Sequence, residues 1–106
     1  DYSGYPDCRP EYFEQVVQTL RFGSKLGTEY GVHMGIDTPI ISMAKPEIVR
    51  LGIRLNAPLD ITWSCYEGFE LPCGACDSCV LRAKGFEEAG MADPLLVRLR
   101  AEGGRP

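Results

Sequence analysis

The chain has 106 residues, with 11 Lys and Arg against 15 Asp and Glu, for a net charge of −4. That balance argues against a dedicated nucleic-acid surface, which needs clustered cations for the phosphates, and no apolar run approaches the roughly 20 residues needed to cross a bilayer. The ordinary apolar content suits a small soluble domain, and the absence of an apolar signal segment points to a reducing cytoplasm.

Residues 1 to 9 are rich in Gly, Pro, Asp and Ser and read as a loop. The chain opens at Asp1 without an initiator Met, and Asp1-Tyr-Ser-Gly-Tyr-Pro-Asp7 reads like a loop leaving a strand. The expectation is a piece of a longer α/β protein. Pro10 suits a helix N-terminus, with Glu11 and Glu14 near the positive end of the dipole. Phe13, Val16, Val17 and Leu20 recur at helical spacing until Gly27 stops the run.

A short strand is expected over Val32 to Ile36, followed by a loop holding Asp37 and Pro39. A second helix starts near Lys45-Pro46-Glu47 and carries Ile48, Val49, Leu51 and Leu55. Gly52 weakens it by up to about 1 kcal/mol relative to Ala, which makes close packing there the natural reason for it. Leu59 to Trp63 reads as extended. A third helix is expected from about Cys76 to Ala89, with Gly90 as its stop, and a last short helix or frayed tail from Leu95. Two strands against three helices make too small a sheet to cover, so most of its strands are expected to lie elsewhere.

The chemistry concentrates in Cys65, Cys73, Cys76 and Cys79, spaced Cys-x7-Cys-x2-Cys-x2-Cys. Thiolates are soft ligands, and four of them complete a tetrahedral Zn²⁺. Gly74 permits the bend that lets Cys73 and Cys76 converge. Cys79 follows three residues later, on the same side of a helix that begins near Cys76. Cys65 comes from the end of the preceding extended segment. With four protein ligands no position is left for water or substrate, so such a zinc is structural. A disulfide framework is the rival reading. It fits poorly with five cysteines, three of them within seven residues, and Cys8 far away.

The segments Asp1-Tyr-Ser-Gly-Tyr-Pro-Asp-Cys-Arg-Pro10, Lys45-Pro-Glu-Ile-Val-Arg-Leu-Gly52, Thr62-Trp-Ser-Cys-Tyr66, Cys73-Gly-Ala-Cys-Asp-Ser-Cys79 and Lys84-Gly-Phe-Glu-Glu-Ala-Gly90 occur in this order. Together they closely resemble the 7-cyano-7-deazaguanine synthase family of the PP-loop ATP pyrophosphatase superfamily, over residues 1 to about 94.

The resemblance implies an ATP-dependent ligase of queuosine biosynthesis. Its substrates would be 7-carboxy-7-deazaguanine, ammonia and ATP with Mg²⁺, and its product the nitrile, reached through adenylated carboxylate and amide. It implies an α/β fold: the C-terminal part of a PP-loop (adenine nucleotide alpha hydrolase-like) parallel-sheet domain over 1–60, a four-cysteine zinc-binding helical element over 61–94 and a partly disordered tail over 95–106. It also implies a cytoplasmic homodimer that touches neither nucleic acid nor membrane directly. The four zinc ligands map onto Cys65, Cys73, Cys76 and Cys79. The family's phosphate loop, Ser-Gly-Gly-x-Asp-Ser, is missing, since Ser3-Gly4 is followed by Tyr5. A chain without that loop is expected to be inactive alone, because backbone N–H groups must approach the pyrophosphate closely.

Given that resemblance, Lys45 at a helix start is a candidate phosphate contact, the alternative being a solvated lysine beside a cap. Arg9 could hold the substrate carboxylate or pair with Asp7 or Glu11. Tyr2, Ser3, Tyr5 and Asp7 could meet the deazapurine or be ordinary turn chemistry. Cys8 reads as an idle thiol, His33 as a strand histidine with a satisfied ring, Trp63 as a core anchor beneath the zinc, and Arg82 and Lys84 as a solvated helix face. Two other functions share the pattern: a zinc-ribbon-like binding module without catalysis, and another PP-loop ligase or tRNA-thiolating enzyme with redox-active cysteines.

Overall fold

The structure is a computed structural model that describes residues 4–103. Its contacts divide the chain into two units, one ending at Met43 and the other beginning at Ala44.

In the first unit a 3-10 turn, Pro6–Cys8, leads into helix α1, Pro10–Gly23. Pro10 sits where a missing N–H costs nothing, and Glu11 and Arg21 fall at the ends of the dipole that favour them. The run expected to reach Gly27 breaks earlier. Ser24 is extended at φ −124°, and its Oγ accepts the Gly27 N–H at 3.1 Å, which starts a separate short helix, α2, Lys25–Thr28. A serine bonded to nearby backbone competes with helix continuation, and apolar spacing alone does not register that competition. No described residue of this unit is buried, and the α1 stripe of Phe13, Val16 and Val17 is only half-covered.

The strand expected over Val32 to Ile36 does not form. Residues 31–38 have no regular structure, and there is no strand among the described residues. A strand exists through its ladder, and this stretch has no described partner with which to build one. His33, expected on that strand, is exposed instead. Turns at Thr38 to Met43 close the unit, with Ile41 N–H bonded to the Thr38 carbonyl at 3.2 Å and Met43 N–H to that of Ile40 at 3.1 Å.

The second unit opens with α3, Lys45–Arg54, where Glu47 Oε2 accepts the Ala44 N–H at 2.8 Å. Helix α3 packs on α4, Asp77–Ala89. The helices approach closely at Gly85, where an added Cβ would stand 2.9 Å from Lys45 Cβ. Arg50 crosses from α3 and donates to the Glu88 carbonyl at 2.9 Å, near the end of α4. The close packing expected at Gly52 is present, against Leu59. The Leu59 to Trp63 segment, expected to be extended, starts as a 3-10 turn, Leu59–Ile61, and extends only from Thr62.

Helix α4 ends at Gly90, φ 78°, as its sequence predicts. Met91 N–H bonds the Phe86 carbonyl at 3.1 Å and Gly90 N–H that of Glu87 at 3.0 Å, which satisfies carbonyls the helix end leaves free. Asp93 caps the last helix, α5, Pro94–Ala101, by accepting the Leu95 N–H at 3.0 Å. Val49, Cys65, Cys79, Phe86 and Leu95 form the core of this unit. Leu95, only 2 % exposed, contributes about 1.5–3 kcal/mol by its burial. Two of the five core residues are cysteines of the cluster, so the candidate metal site and the core are one structure.

Candidate metal centre

The sulfurs of Cys65, Cys73, Cys76 and Cys79 all lie within 4.8 Å of one another. Zinc–sulfur bonds of about 2.3 Å in a tetrahedron put sulfurs about 3.8 Å apart, so small rotamer adjustments would close the set on an ion. Cys65, Cys73, Cys76 and Cys79 are not joined in disulfides. Each ligand arrives by a separate device. Gly74, at φ 74°, makes the left-handed bend between Cys73 and Cys76 that a side chain resists. Cys76 is the N-cap of α4 and Cys79 lies in its first turn, so the positive end of the helix dipole faces the thiolates. Cys65 ends the Thr62 to Ser64 arm.

Backbone amides are aimed at the sulfurs. Cys65 Sγ accepts the N–H groups of Gly68 at 3.1 Å, Cys73 at 3.3 Å and Glu67 at 3.4 Å. Cys73 Sγ accepts those of Cys76 at 3.3 Å and Ala75 at 3.4 Å. Gly68 is required for this shape, because a Cβ there would stand 2.0 Å from the Leu71 carbonyl oxygen.

Electrostatics follow the geometry. The Cys73 and Gly68 amides pull the Cys65 thiol down from 9.0 to about 6. The Tyr66 backbone is the main cause of a lowered value at Cys76. Burial pushes Cys79 the other way, up to about 12, so its thiolate needs a cation beside it. Four thiolates around one divalent ion carry a net charge of about −2, and inward-pointing amides with a helix N-terminus are the groups that spread it. The residues therefore fit a soft divalent ion with no open coordination position.

Arg82 corrects the expectation of a solvated face. Its side chain is 13 % exposed and forms an ion pair with Asp93, which is 7 % exposed. Its Nε and Nη2 grip the Asp93 carboxylate as a fork, Nη2 at 2.8 Å from Oδ1. Nη1 donates to the Thr62 carbonyl and Ser64 Oγ, both at 3.2 Å, and Nη2 to Thr62 Oγ1 at 3.0 Å. The guanidinium lies 5.3 Å from the Phe86 ring centroid. A legible signal existed: Cys79, Arg82 and Phe86 are spaced i, i+3, i+7 and share one helix face. Lys84 does lie on the exposed face, 3.7 Å from Glu88. Trp63 is not a core anchor. It is 42 % exposed and acts through its indole N–H, which bonds the Cys65 carbonyl at 2.8 Å.

The other candidates fall as follows. Tyr5, Asp7 and Arg9 are exposed around the first 3-10 turn, while Tyr2 and Ser3 lie outside the described residues. Cys8 lines a 340 Å³ apolar cleft of the first unit with Phe13 and the Ile36 to Ile41 turn. Lys45, the first residue of α3, lines a 150 Å³ cleft of the second unit with Thr62, Ser64 and Arg82.

The second unit is thus a small helical module closed around a sulfur cage that can hold a metal ion. A family model described as "Queuosine biosynthesis protein QueC" matches residues 1–90, and the chain belongs to that family. It is 56 % identical over 95 residues to a 7-cyano-7-deazaguanine synthase of Thermoplasma volcanium, and 53 % identical over 95 residues to those of Thermoplasma acidophilum and Acidobacterium capsulatum. These matches cover 90 % of this chain and 39 % of each relative, so the chain spans about two fifths of their length. No solved structure matches it. No helix among the described residues is long and apolar enough to cross a membrane.

Proposed function

We propose that the full-length protein is an ATP-dependent carbon–nitrogen ligase that converts 7-carboxy-7-deazaguanine and ammonia into 7-cyano-7-deazaguanine. The observation that carries this reading is the 56 % identity, over 95 residues, to a protein named for that product. The substrate carboxylate attacks the α-phosphorus of ATP, which releases pyrophosphate and gives an acyl adenylate. Ammonia displaces AMP to form the amide. A second ATP adenylates the amide oxygen, and loss of AMP with both N–H protons leaves the nitrile.

These steps gather negative charge and call for cations at the site. Arg9 is assigned to the substrate carboxylate, Lys45 to a phosphate, and Tyr2, Ser3, Tyr5 and Asp7 to the deazapurine. The phosphate-binding loop for ATP and Mg²⁺ belongs to polypeptide beyond this chain, which by itself is inactive. That polypeptide also supplies the parallel strands against which residues 32 to 36 pair. The lack of any buried described residue before Ala44 supports this, since such a unit needs a covering partner. Within the whole, residues 1–60 complete the PP-loop domain, 61–94 form the metal element and 95–106 the tail, in a cytoplasmic homodimer.

Zinc is the ion assigned to Cys65, Cys73, Cys76 and Cys79, and when bound it supplies a cross-link rather than chemistry. The N–H···S bonds and the buried Cys79 support a locked set over the redox-active pair a thiolating enzyme would need. Incubation of the full-length protein with 7-carboxy-7-deazaguanine, ammonium, ATP and Mg²⁺ should yield the nitrile and AMP. Failure of the metal-loaded protein to release AMP on addition of the acid would refute the assignment.

A further inference from the structure

Cys65 is the one ligand outside the Cys73 to Cys79 run, and it must be delivered from a separate stretch of chain. That stretch, Thr62 to Ser64, belongs to no helix or strand. A segment without regular structure has no ladder to hold it; one backbone bond, Thr62 N–H to the Leu59 carbonyl at 3.3 Å, ties its start, and side chains hold the rest.

Within the arm the Trp63 indole N–H bonds the Cys65 carbonyl at 2.8 Å, and one side chain from outside it makes several bonds to it. Arg82 bonds the Thr62 carbonyl at 3.2 Å, Thr62 Oγ1 at 3.0 Å, Ser64 Oγ at 3.2 Å and the Leu59 carbonyl at 3.4 Å. Thr62 Oγ1 in turn donates to the Leu59 carbonyl at 2.7 Å, so the arm and the 3-10 turn before it are one bonded unit. Asp93 fixes the guanidinium from the other side through both carboxylate oxygens. Arg82 stands three residues after Cys79, one turn further along α4. The helix that delivers Cys79 thus also grips the arm that delivers Cys65.

We infer that Arg82, held by Asp93, is a positioning residue for the metal site, setting Cys65 against the other three sulfurs through Thr62 and Ser64. The inference rests on the zinc reading of the four cysteines. Lysine cannot replace arginine here, because a single ammonium cannot reach the forked carboxylate and the arm's acceptors at once. A control comes from the exposed face of the same helix: Lys84, which lies 3.7 Å from Glu88.

The test uses the full-length protein and competes zinc against a chromophoric chelator, alongside spectra of the Co²⁺-substituted form. Arg82→Lys should weaken zinc about tenfold, the low end of the range for groups supporting metal ligands. It should also move the Co²⁺ spectrum from four-sulfur towards three-sulfur coordination, a change that plain loss of stability does not produce. Lys84→Ala should leave both unchanged. If Arg82→Lys does not fold, Ser64→Ala decides, with a weakening of about two- to tenfold expected on the order of one lost hydrogen bond. Wild-type affinity and spectrum in these variants, or equal weakening by Lys84→Ala, would overturn the role of Arg82 alone. A wild-type protein that takes up no zinc would remove the metal reading as well.

Discussion

Asp93 holds two separable jobs, which makes it a sharp probe of the second unit. It is the counter-charge of Arg82, with both side chains largely out of water, and it is the N-cap of α5. Replacing it by Asn keeps an oxygen for the Leu95 N–H but removes the charge. Breaking a buried pair from one side costs about 3–5 kcal/mol, because the remaining ion stays desolvated. Arg82 keeps its acceptors on Leu59, Thr62 and Ser64 and the face of Phe86, so the low end applies: about 3 kcal/mol for Asp93→Asn. Asp93→Ala loses the cap too, worth about 1 kcal/mol, and should cost about 4 kcal/mol in all. Denaturant unfolding of the zinc-loaded full-length protein, at fixed free zinc, measures both, and the midpoint should move with little change in slope. Asp93→Asn within about 0.5 kcal/mol of wild type would show that the pair contributes little, and equal costs for Asn and Ala would refute the capping role.

Two further outcomes follow from the sulfur cage. Gly68→Ala places a Cβ against the Leu71 carbonyl and displaces an N–H bonded to Cys65 Sγ, so zinc affinity should fall at least tenfold in a chelator competition. In the metal-free protein, Cys65 has a lowered folded value, so its contribution to stability is fully present above 9.0 and is lost as pH falls through about 6. Cys79 has a raised value, so its contribution is present below 9.0 and lost as pH rises towards about 12. Zinc uptake at pH 7 should accordingly release at least the Cys79 proton, detectable as buffer-dependent heat in calorimetry; uptake with no proton release would contradict this electrostatic picture.

What the sequence made legible were features whose cause is local. The cysteine spacing, the start of α3 at Lys45, the Gly90 stop and the Cys76 cap each depend on residues within a few positions. What it hid depends on distant or absent neighbours. Arg82 looks like one more charge on a helix until Asp93 and Thr62, 11 and 20 residues away, fold onto it. Val32 to Ile36 have strand composition, but no described residue pairs with them as a strand. Ser24 is a local feature that apolar periodicity overrode, because the capping serine and the continuing stripe offered opposite readings of the same stretch.

The direct test is elemental analysis of the purified full-length protein, together with its Cys76→Ser variant. One tightly held zinc per chain is expected in the wild type, lost together with soluble yield in the variant, since the binding energy of such an ion is folding energy. A wild-type protein free of metal, or a variant that keeps its fold and turnover without zinc, would contradict a structural cage at Cys65, Cys73, Cys76 and Cys79.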